Sequence, residues 1–327
     1  MKQSNPFSRR TLLRGGALVL GASIIDLEPL RAITTNLVKT PGLTDMEIAA
    51  IEEALGKKGI YKDAEATHNT SLPRNDLKIT VKGEPVPVPF GFGGWVAIKK
   101  TLDGKTAVLM SDCVLLEEEV NPLISAAHAN GLEIGAIHNH FFYENPRIFY
   151  MHVHGMGSPG ELAKKYMNTI NNSKLSPKNQ PPVPAPGKTG KEIFDMLSLN
   201  AIVKQEAAVN GSTLKYTVGR NDLAVKAMGA EMTASIGLNS WASFTGTMEK
   251  AYVAGDIAML ESEVNPVIKS LRSSNIEVVA LHNHMLGDNP RIIFLHYLGT
   301  GSALRLAEAF KAALDQLGKS GDMKMKH

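Results

Sequence analysis

The chain carries two copies of one sequence pattern, and this internal duplication constrains its fold more than any other feature. A His-Asn-His run at 138–140 recurs, 144 residues later, at 282–284. An Asn-Pro-Arg-Ile run at 145–148 recurs at 289–292. Of the 21 positions from 138 to 158, 11 are identical in the second copy, so the chain is expected to fold as two similar units.

The duplication extends over most of the chain. The further matches are Arg-Asn-Asp-Leu at 74–77 and 220–223, Trp95 and Trp241, and Glu-Val-Asn-Pro at 119–122 and 263–266. Residues 176–190 are rich in proline, which can neither continue a helix nor sit inside a sheet, so they predict an extended linker. The predicted units are then residues 40–175 and 191–320.

Each unit has the residue pattern of a mixed α and β structure. In the first unit, helical spacing and end signals predict helices over 118–130 and 158–171, and strands precede and separate them. The order β-β-α-β-β-α indicates an α+β fold with a mainly antiparallel sheet and helices on one face. Two such units could pair about a pseudo-two-fold axis, and a parallel wound fold is the alternative.

Composition and charge narrow the class of protein. The 327 residues are 43% hydrophobic and 20% charged, which is typical of globular proteins. The single cysteine, Cys113, excludes an intramolecular disulfide and any multi-cysteine metal site. Residues 1–32 hold five basic and two acidic residues and so account for the whole net charge of +3. The remainder is near neutral, which argues against nucleic acid or an anionic membrane as a partner.

The N-terminus has the features of an export signal. Arg9 and Arg10 precede an apolar stretch, residues 15–25, that is too short to span a membrane. We interpret residues 1–32 as a twin-arginine-type signal peptide, with a short amphipathic helix as the alternative. The expected location is periplasmic or secreted, and no cysteine follows the apolar stretch to carry a lipid anchor. The twin-arginine route exports folded proteins and suits those that acquire a metal first.

The repeated histidines are the candidate metal ligands. On a strand, His138 and His140 point to the same face, about 6.6 Å apart along the chain. Two imidazoles and a third ligand can hold a transition metal, most plausibly zinc. The predicted ligands are His138, His140, His152, His282, His284 and His296. Each unit could hold its own ion, or both could share one.

The third ligand of each set stays open on sequence alone. In a simple hairpin, His152 lies opposite residue 135 or so, about 10 Å along the strand from His138. The alternatives are His154, Glu144, Asp288, Glu117 and Glu119. The competing hypothesis is that the histidines only form structural hydrogen bonds, because repeats also keep identical residues through shared ancestry.

Arginines and glutamates supply further candidate site residues. Arg147 and Arg291 follow the Asn-Pro turns and could bind a carboxylate or phosphate, or form ion pairs with the glutamates. Glu117 and Glu261 are candidate general bases, although a glutamate at a helix start is more often a capping group.

The His-Asn-His, Asn-Pro-Arg, Glu-Val-Asn-Pro and Arg-Asn-Asp-Leu blocks together resemble the LppY/LpqO family of exported bacterial proteins of uncharacterised function. The resemblance covers the chain after the signal. It implies an envelope or exterior location and no reaction. Since this chain lacks a lipoprotein cysteine, it also implies a form with no stable membrane anchor.

Two function classes remain open from the sequence. One is a periplasmic metalloprotein with hydrolase-like chemistry, in which a histidine-bound ion activates water or polarises a substrate. The other is a non-catalytic protein that binds or sequesters a metal or a small anionic ligand. Catalysis requires an open coordination position beside a base, and sequestration requires neither.

Overall fold

The computed structural model of the chain describes residues 39–182 and 187–319. The predicted signal peptide, residues 1–32, lies outside the described residues, as do residues 183–186 of the predicted linker. The described residues belong to one compact unit.

The first repeat is built from three helices and nine strands. They are α1 (Asp45–Leu55), β1 (Ile60–Lys62), β2 (Thr67–Pro73), β3 (Ile79–Val81), β4 (Glu84–Val86), β5 (Gly93–Lys100), β6 (Ala107–Leu116), α2 (Glu117–Ala129), β7 (Glu133–His138), β8 (Glu144–Asn145), β9 (Ile148–Gly157) and α3 (Pro159–Ile170). Thr44 caps α1 by accepting a hydrogen bond from the backbone of Glu47, and Gly56 ends it at φ 62°.

The second repeat follows the same order. Its elements are α4 (Gly190–Ile193), α5 (Met196–Val203), β10 (Ala208–Asn210), β11 (Thr213–Gly219), β12 (Lys226–Ala227), β13 (Ala230–Glu231), β14 (Asn239–Gly246), β15 (Ala251–Leu260), α6 (Val264–Ser273), β16 (Glu277–His282), β17 (Ile292–Gly301) and α7 (Ala303–Leu314). The predicted linker contains a 3₁₀ turn at Pro177–Asn179, and α4 begins at its last residue.

Each repeat contains one six-stranded sheet with all neighbouring strands antiparallel. The strand orders are β1-β2-β5-β6-β9-β7 and β10-β11-β14-β15-β17-β16. The prediction of two tandem α and β units with mainly antiparallel sheets is confirmed. Each sheet has six strands where the pattern predicted four, because β1 and β2, and their counterparts, add to one edge.

The central strands are buried on both faces, and this determines where side chains of the site point. In β6, Leu109, Cys113 and Leu115 pack in the helix-side core of the first repeat. Val108 and Met110 alternate with them and pack against the second repeat. Since side chains alternate along a strand, the even-numbered positions of β6 face the other repeat. Asp112 therefore points into the space between the two sheets.

Candidate metal centre

A row of polar and aromatic side chains crosses each sheet on the face toward the other repeat. In the first sheet, Asp112 lies directly opposite Trp95 of β5 on one side and His152 of β9 on the other. In the second sheet, Asp256 lies opposite Trp241 and His296 in the same way. Register alone thus places an aspartate beside a histidine in both repeats.

The imidazoles of the two repeats lie against one another. The ring centroids of His140 and His296 are 3.7 Å apart, and those of the equivalent pair, His284 and His152, are 4.0 Å apart. His138 stacks on its own counterpart, His282. The structure therefore brings all six predicted histidines together with Asp112 and Asp256, and we call these eight residues the His–Asp cluster.

The expected separation of His138 from His152 along the strand does not keep their rings apart. His152 pairs with Ala136, near the expected register, yet the ring centroids of His138 and His152 are 4.9 Å apart. The imidazole side chains are long enough to bridge the separation along the backbone, and the register of β7 shifts between Ile134 and Ala136.

Three overlapping groups in this cluster could hold a metal ion. In each group, one potential ligand atom per residue lies within 4.8 Å of the others. The groups are Asp256, His282, His284 and His296; His138, His152 and His282; and His138, His140 and His296. The first lies within one repeat, and the other two combine both repeats.

Backbone carbonyls orient the rings of three of the histidines. His152 Nδ1 lies 3.1 Å from the Ser111 carbonyl, and its counterpart His296 Nδ1 lies 3.1 Å from the Gly255 carbonyl. His282 Nδ1 lies 3.1 Å from the Asn283 carbonyl. A ring that donates Nδ1–H leaves Nε2 as the atom with the free lone pair, which is the usual arrangement around a protein-bound metal.

Many polar atoms of the His–Asp cluster have no hydrogen-bond partner among the described residues. Eight of the fifteen buried side-chain atoms in this state belong to it. They are Asp112 Oδ1, Asp256 Oδ1, Nδ1 of His138, His140 and His284, and Nε2 of His152, His282 and His296. Buried polar groups normally have hydrogen-bond partners. A concentration of unpaired buried atoms is therefore the pattern expected of a ligand-binding site.

Burial controls the ionisation of the cluster. Desolvation lowers the pKa of His284, and the neighbouring imidazoles lower it further. Burial raises the pKa of Asp112 to about 8, opposed by the charge of Lys215. Burial and the charge of Asp112 raise the pKa of Asp256 well above its usual range. Neutral imidazoles are the form that coordinates a metal, and a cation would in turn favour ionised aspartates.

A cavity of about 490 Å³ leads to the cluster. Its lining includes His140, His284, His296 and both aspartates, with Trp95 and Trp241 further out. A small molecule in this cleft would therefore contact the atoms that could hold a metal.

A second cavity, of about 610 Å³, contains several of the other predicted residues. Glu261, Arg291 and His282 line it together. In the first repeat, Glu117 is exposed at the start of α2, and the Arg147 guanidinium lies 5.7 Å from the centroid of the Phe149 ring. Neither Arg147 nor Arg291 forms an ion pair with a glutamate in the described part of the chain.

The alternative third ligands have other roles in the structure. The Arg74 guanidinium binds Glu119 at 2.7 Å, and Glu119 also accepts the Leu116 N–H at the start of α2. His154 Nε2 lies 2.7 Å from the His284 carbonyl and ties the repeats together. Glu144 and Asp288 accept the backbone N–H of Ile148 and Ile292.

Asp112 and Asp256 were not identified from the sequence. Each lies in a ten-residue strand that is otherwise largely apolar, and the two are equivalent at the 144-residue spacing. An ionisable residue at the centre of a buried strand, present in both copies, was the signal that could have found them.

Comparison with known proteins yields one family match. The sequence model of a family described as Domain of Unknown Function (DUF1259) matches residues 49–172 and 198–316. No curated protein matches the chain.

Solved structures resemble the chain only weakly. A double-ringed trimeric shell protein of the RMM microcompartment (MSM0271) is 10% identical, over 68% of this chain and 87% of that one, with a TM-score of 0.18. The trimeric microcompartment shell protein PduB is 11% identical, over 80% and 93%, with a TM-score of 0.21. Likeness at this level supports no functional argument.

Within residues 39–182 and 187–319, no helix has the length and apolar character needed to cross a membrane.

Proposed function

We propose that this chain, which belongs through both of its repeats to the family described as Domain of Unknown Function (DUF1259), binds a divalent transition metal in its His–Asp cluster. The observation that carries the proposal is the set of eight buried cluster atoms without a hydrogen-bond partner among the described residues. Imidazole nitrogens with carboxylate oxygens are a donor set that suits zinc, the metal we propose first.

We assign the first ion to Asp256, His282, His284 and His296, which form the one group of four in the described residues. A metal at this position supplies a Lewis acid that polarises a bound substrate or activates water. The cleft admits the substrate, and the buried strands hold the donor atoms in place. The reciprocal ring contacts of His140 with His296 and of His284 with His152 also support a pseudo-two-fold relation between the repeats.

The proposed setting is outside the cytoplasm. Paired Arg9 and Arg10 before a short apolar stretch, and the resemblance of the repeated blocks to LppY/LpqO proteins, support export by the twin-arginine route. A folded protein that already holds its metal is the kind of cargo that this route carries.

Elemental analysis of the purified, unchelated protein tests the metal centre. We expect stoichiometric zinc or another divalent transition metal in the wild type, and its loss in His282→Ala/His284→Ala. His138→Ala/His140→Ala tests whether the two repeats share one ion. If each repeat binds its own ion, this variant keeps the ion of the second repeat. If the ion is shared, the variant binds all metal more weakly. His128→Ala, a change at an exposed histidine of α2, is the control. A wild type without metal, or a His282→Ala/His284→Ala variant with unchanged metal content, would refute the proposal.

A second function, metal sequestration, is favoured by the number of donors. Four protein ligands fill a tetrahedral zinc site and leave no position for substrate, as in structural sites. Cobalt substitution distinguishes the two functions, because the visible spectrum of Co²⁺ depends on coordination number. A spectrum that changes when small anions are added indicates an open position, and an unchanged one indicates sequestration.

A further inference from the structure

The acidic residues of the cleft lie at its floor, and the basic residues lie on its wall. Asp112 and Asp256 at its floor are the only acidic residues among those that line it. The basic residues of its wall are Lys57, Lys58, Lys62 and Lys215. With a divalent metal bound at Asp256, floor and wall would together carry positive charge, so the cleft would attract anions.

Lys215 is the best placed of these lysines. It is half-buried on β11, and its ammonium forms no hydrogen bond or ion pair with any described residue. Its Nζ lies 4.4 Å from the centroid of the Trp241 ring. By contrast, Lys57 donates to the Ser71 carbonyl at 2.7 Å and Lys62 lies 3.9 Å from Glu65. The charges of Asp112 and Asp256 act on the Lys215 ammonium without a direct contact, so its N–H donors are left for a ligand anion.

Tryptophans form flat apolar surfaces beside this charge. Trp95 and Trp241 both line the cleft, and each reaches across to a glycine of the other repeat. A Cβ at Gly237 would lie 3.2 Å from the Trp95 ring, and one at Gly91 would lie 3.6 Å from the Trp241 ring. Gly237 therefore leaves room for the Trp95 indole, whereas a Cβ at Gly91 would make only an ordinary contact with the Trp241 indole.

We propose that the cleft binds a small organic anion, in which a carboxylate or phosphate group lies between Lys215 and the metal and a planar apolar group lies against the tryptophans. The inference rests on the proposed metal centre, since the metal supplies the cation that faces Lys215 across the bound anion. The cavity volume of about 490 Å³ suits a small molecule and excludes a polymer held along its length.

The chain carries its own reporter for this test. Its sequence contains two tryptophans, and both line the cleft. Tryptophan fluorescence of the metal-loaded full chain is measured during titration with benzoate, benzamide and benzamidine, which share a shape and differ in charge. Phenylphosphonate tests the phosphate class, and acetate tests the need for a ring. We expect benzoate or phenylphosphonate to bind at least about tenfold more tightly than benzamide, and benzamidine not to bind.

Variants separate this inference from the metal proposal. Lys215→Met should weaken binding of the anion by about tenfold with unchanged metal content, and Lys215→Arg should retain most of it. Lys311→Met, at the ion pair with Asp315 on α7, is the matched control. Benzamide binding as tightly as benzoate, or Lys215→Met without effect, overturns the inference alone. A metal-free wild type overturns the metal centre, which elemental analysis of the same samples records separately.

Discussion

The imidazole rings of His138 and His282 stack with their centroids 3.6 Å apart and their planes 14° apart. The two residues occupy the same position in the two repeats, 144 residues apart in the chain. The cluster is therefore formed at the interface between the repeats. A substitution in the cluster of either repeat should therefore change the positions of donor atoms in both repeats.

Removing the metal should destabilise the fold. Without an ion, the cluster leaves six imidazoles and two carboxyl groups buried with unsatisfied atoms. A ligand that binds only the folded state at about 100 times its Kd contributes about 2.7 kcal/mol. For a protein of this size, that corresponds to a rise in Tm of roughly 4 °C. Differential scanning calorimetry of chelator-treated protein, before and after zinc is returned, measures the shift. Identical melting curves would contradict the expectation.

The duplication accounts for how much of the fold and the site could be predicted. It identified the six histidines, because identical residues at a fixed spacing are visible without any structure. The apolar run of β6 and the helix signals of α2 were likewise local and readable. Strands β2 and β11 were not recognised, since their pattern mixes polar cleft residues such as Asn69 and Lys215 with buried apolar ones.

What the sequence could not supply was the partner of each side chain across the interface. In the sequence, Asp112 is one polar residue in an apolar strand, and its role depends on its pairing with His152 of β9. Likewise, Arg74 and Glu119 are far apart in sequence and meet at 2.7 Å, so their ion pair replaced the expected one between Arg147 and the glutamates. Long-range pairings of this kind follow from register and not from local pattern.

Arg220 should be important for stability. Its buried guanidinium donates to the Ala258 carbonyl at 2.7 Å, to Glu263 at 2.8 Å and to Asp222 at 2.8 Å. Arg220→Ala leaves Glu263 buried without its cation, and breaking such a pair costs about 3–5 kcal/mol. Arg220→Lys should recover only part of the lost free energy of unfolding, since an ammonium cannot reproduce the bidentate contact. Urea unfolding curves measure this loss of stability, and Arg272→Ala is the control. Equal curves for Arg220→Ala and Arg272→Ala would refute the stabilising role of Arg220.

The stability contributed by Asp222 should disappear in acid. The hydrogen bond from Arg220 lowers the pKa of Asp222 below its ordinary value, although burial acts in the opposite direction. A carboxyl with a lowered pKa contributes stability above the unfolded-state pKa of about 3.9, and this contribution is lost as the pH falls through the folded-state value. Asp222→Asn should therefore be most destabilising above pH ~4 and progressively less so toward pH ~2. Chemical unfolding of metal-free wild type and variant across this range gives the difference, and a pH-independent difference would exclude the mechanism.

Gly135 should be intolerant of a side chain, although its backbone has no positive φ. It lies at the register shift of β7, where an added Cβ would be 2.3 Å from His154 Nε2 and 2.9 Å from the His284 carbonyl oxygen. The second repeat has Val279 at the equivalent position, so the close approach of His154 is specific to the first repeat.

Gly135→Ala should therefore displace either His154 or the backbone of His284, which carries one of the proposed ligands. We expect a loss of about 1–3 kcal/mol in the free energy of unfolding, as is usual for overpacking, together with weaker metal binding. Gly93→Ala, where a Cβ would meet no atom within 4 Å, is the matched control and should change neither quantity. Urea unfolding and competition with a chromogenic chelator measure the two effects. If Gly135→Ala lowers stability but leaves metal affinity unchanged, the contact of His154 with His284 stabilises the interface between the repeats without positioning the metal ligands.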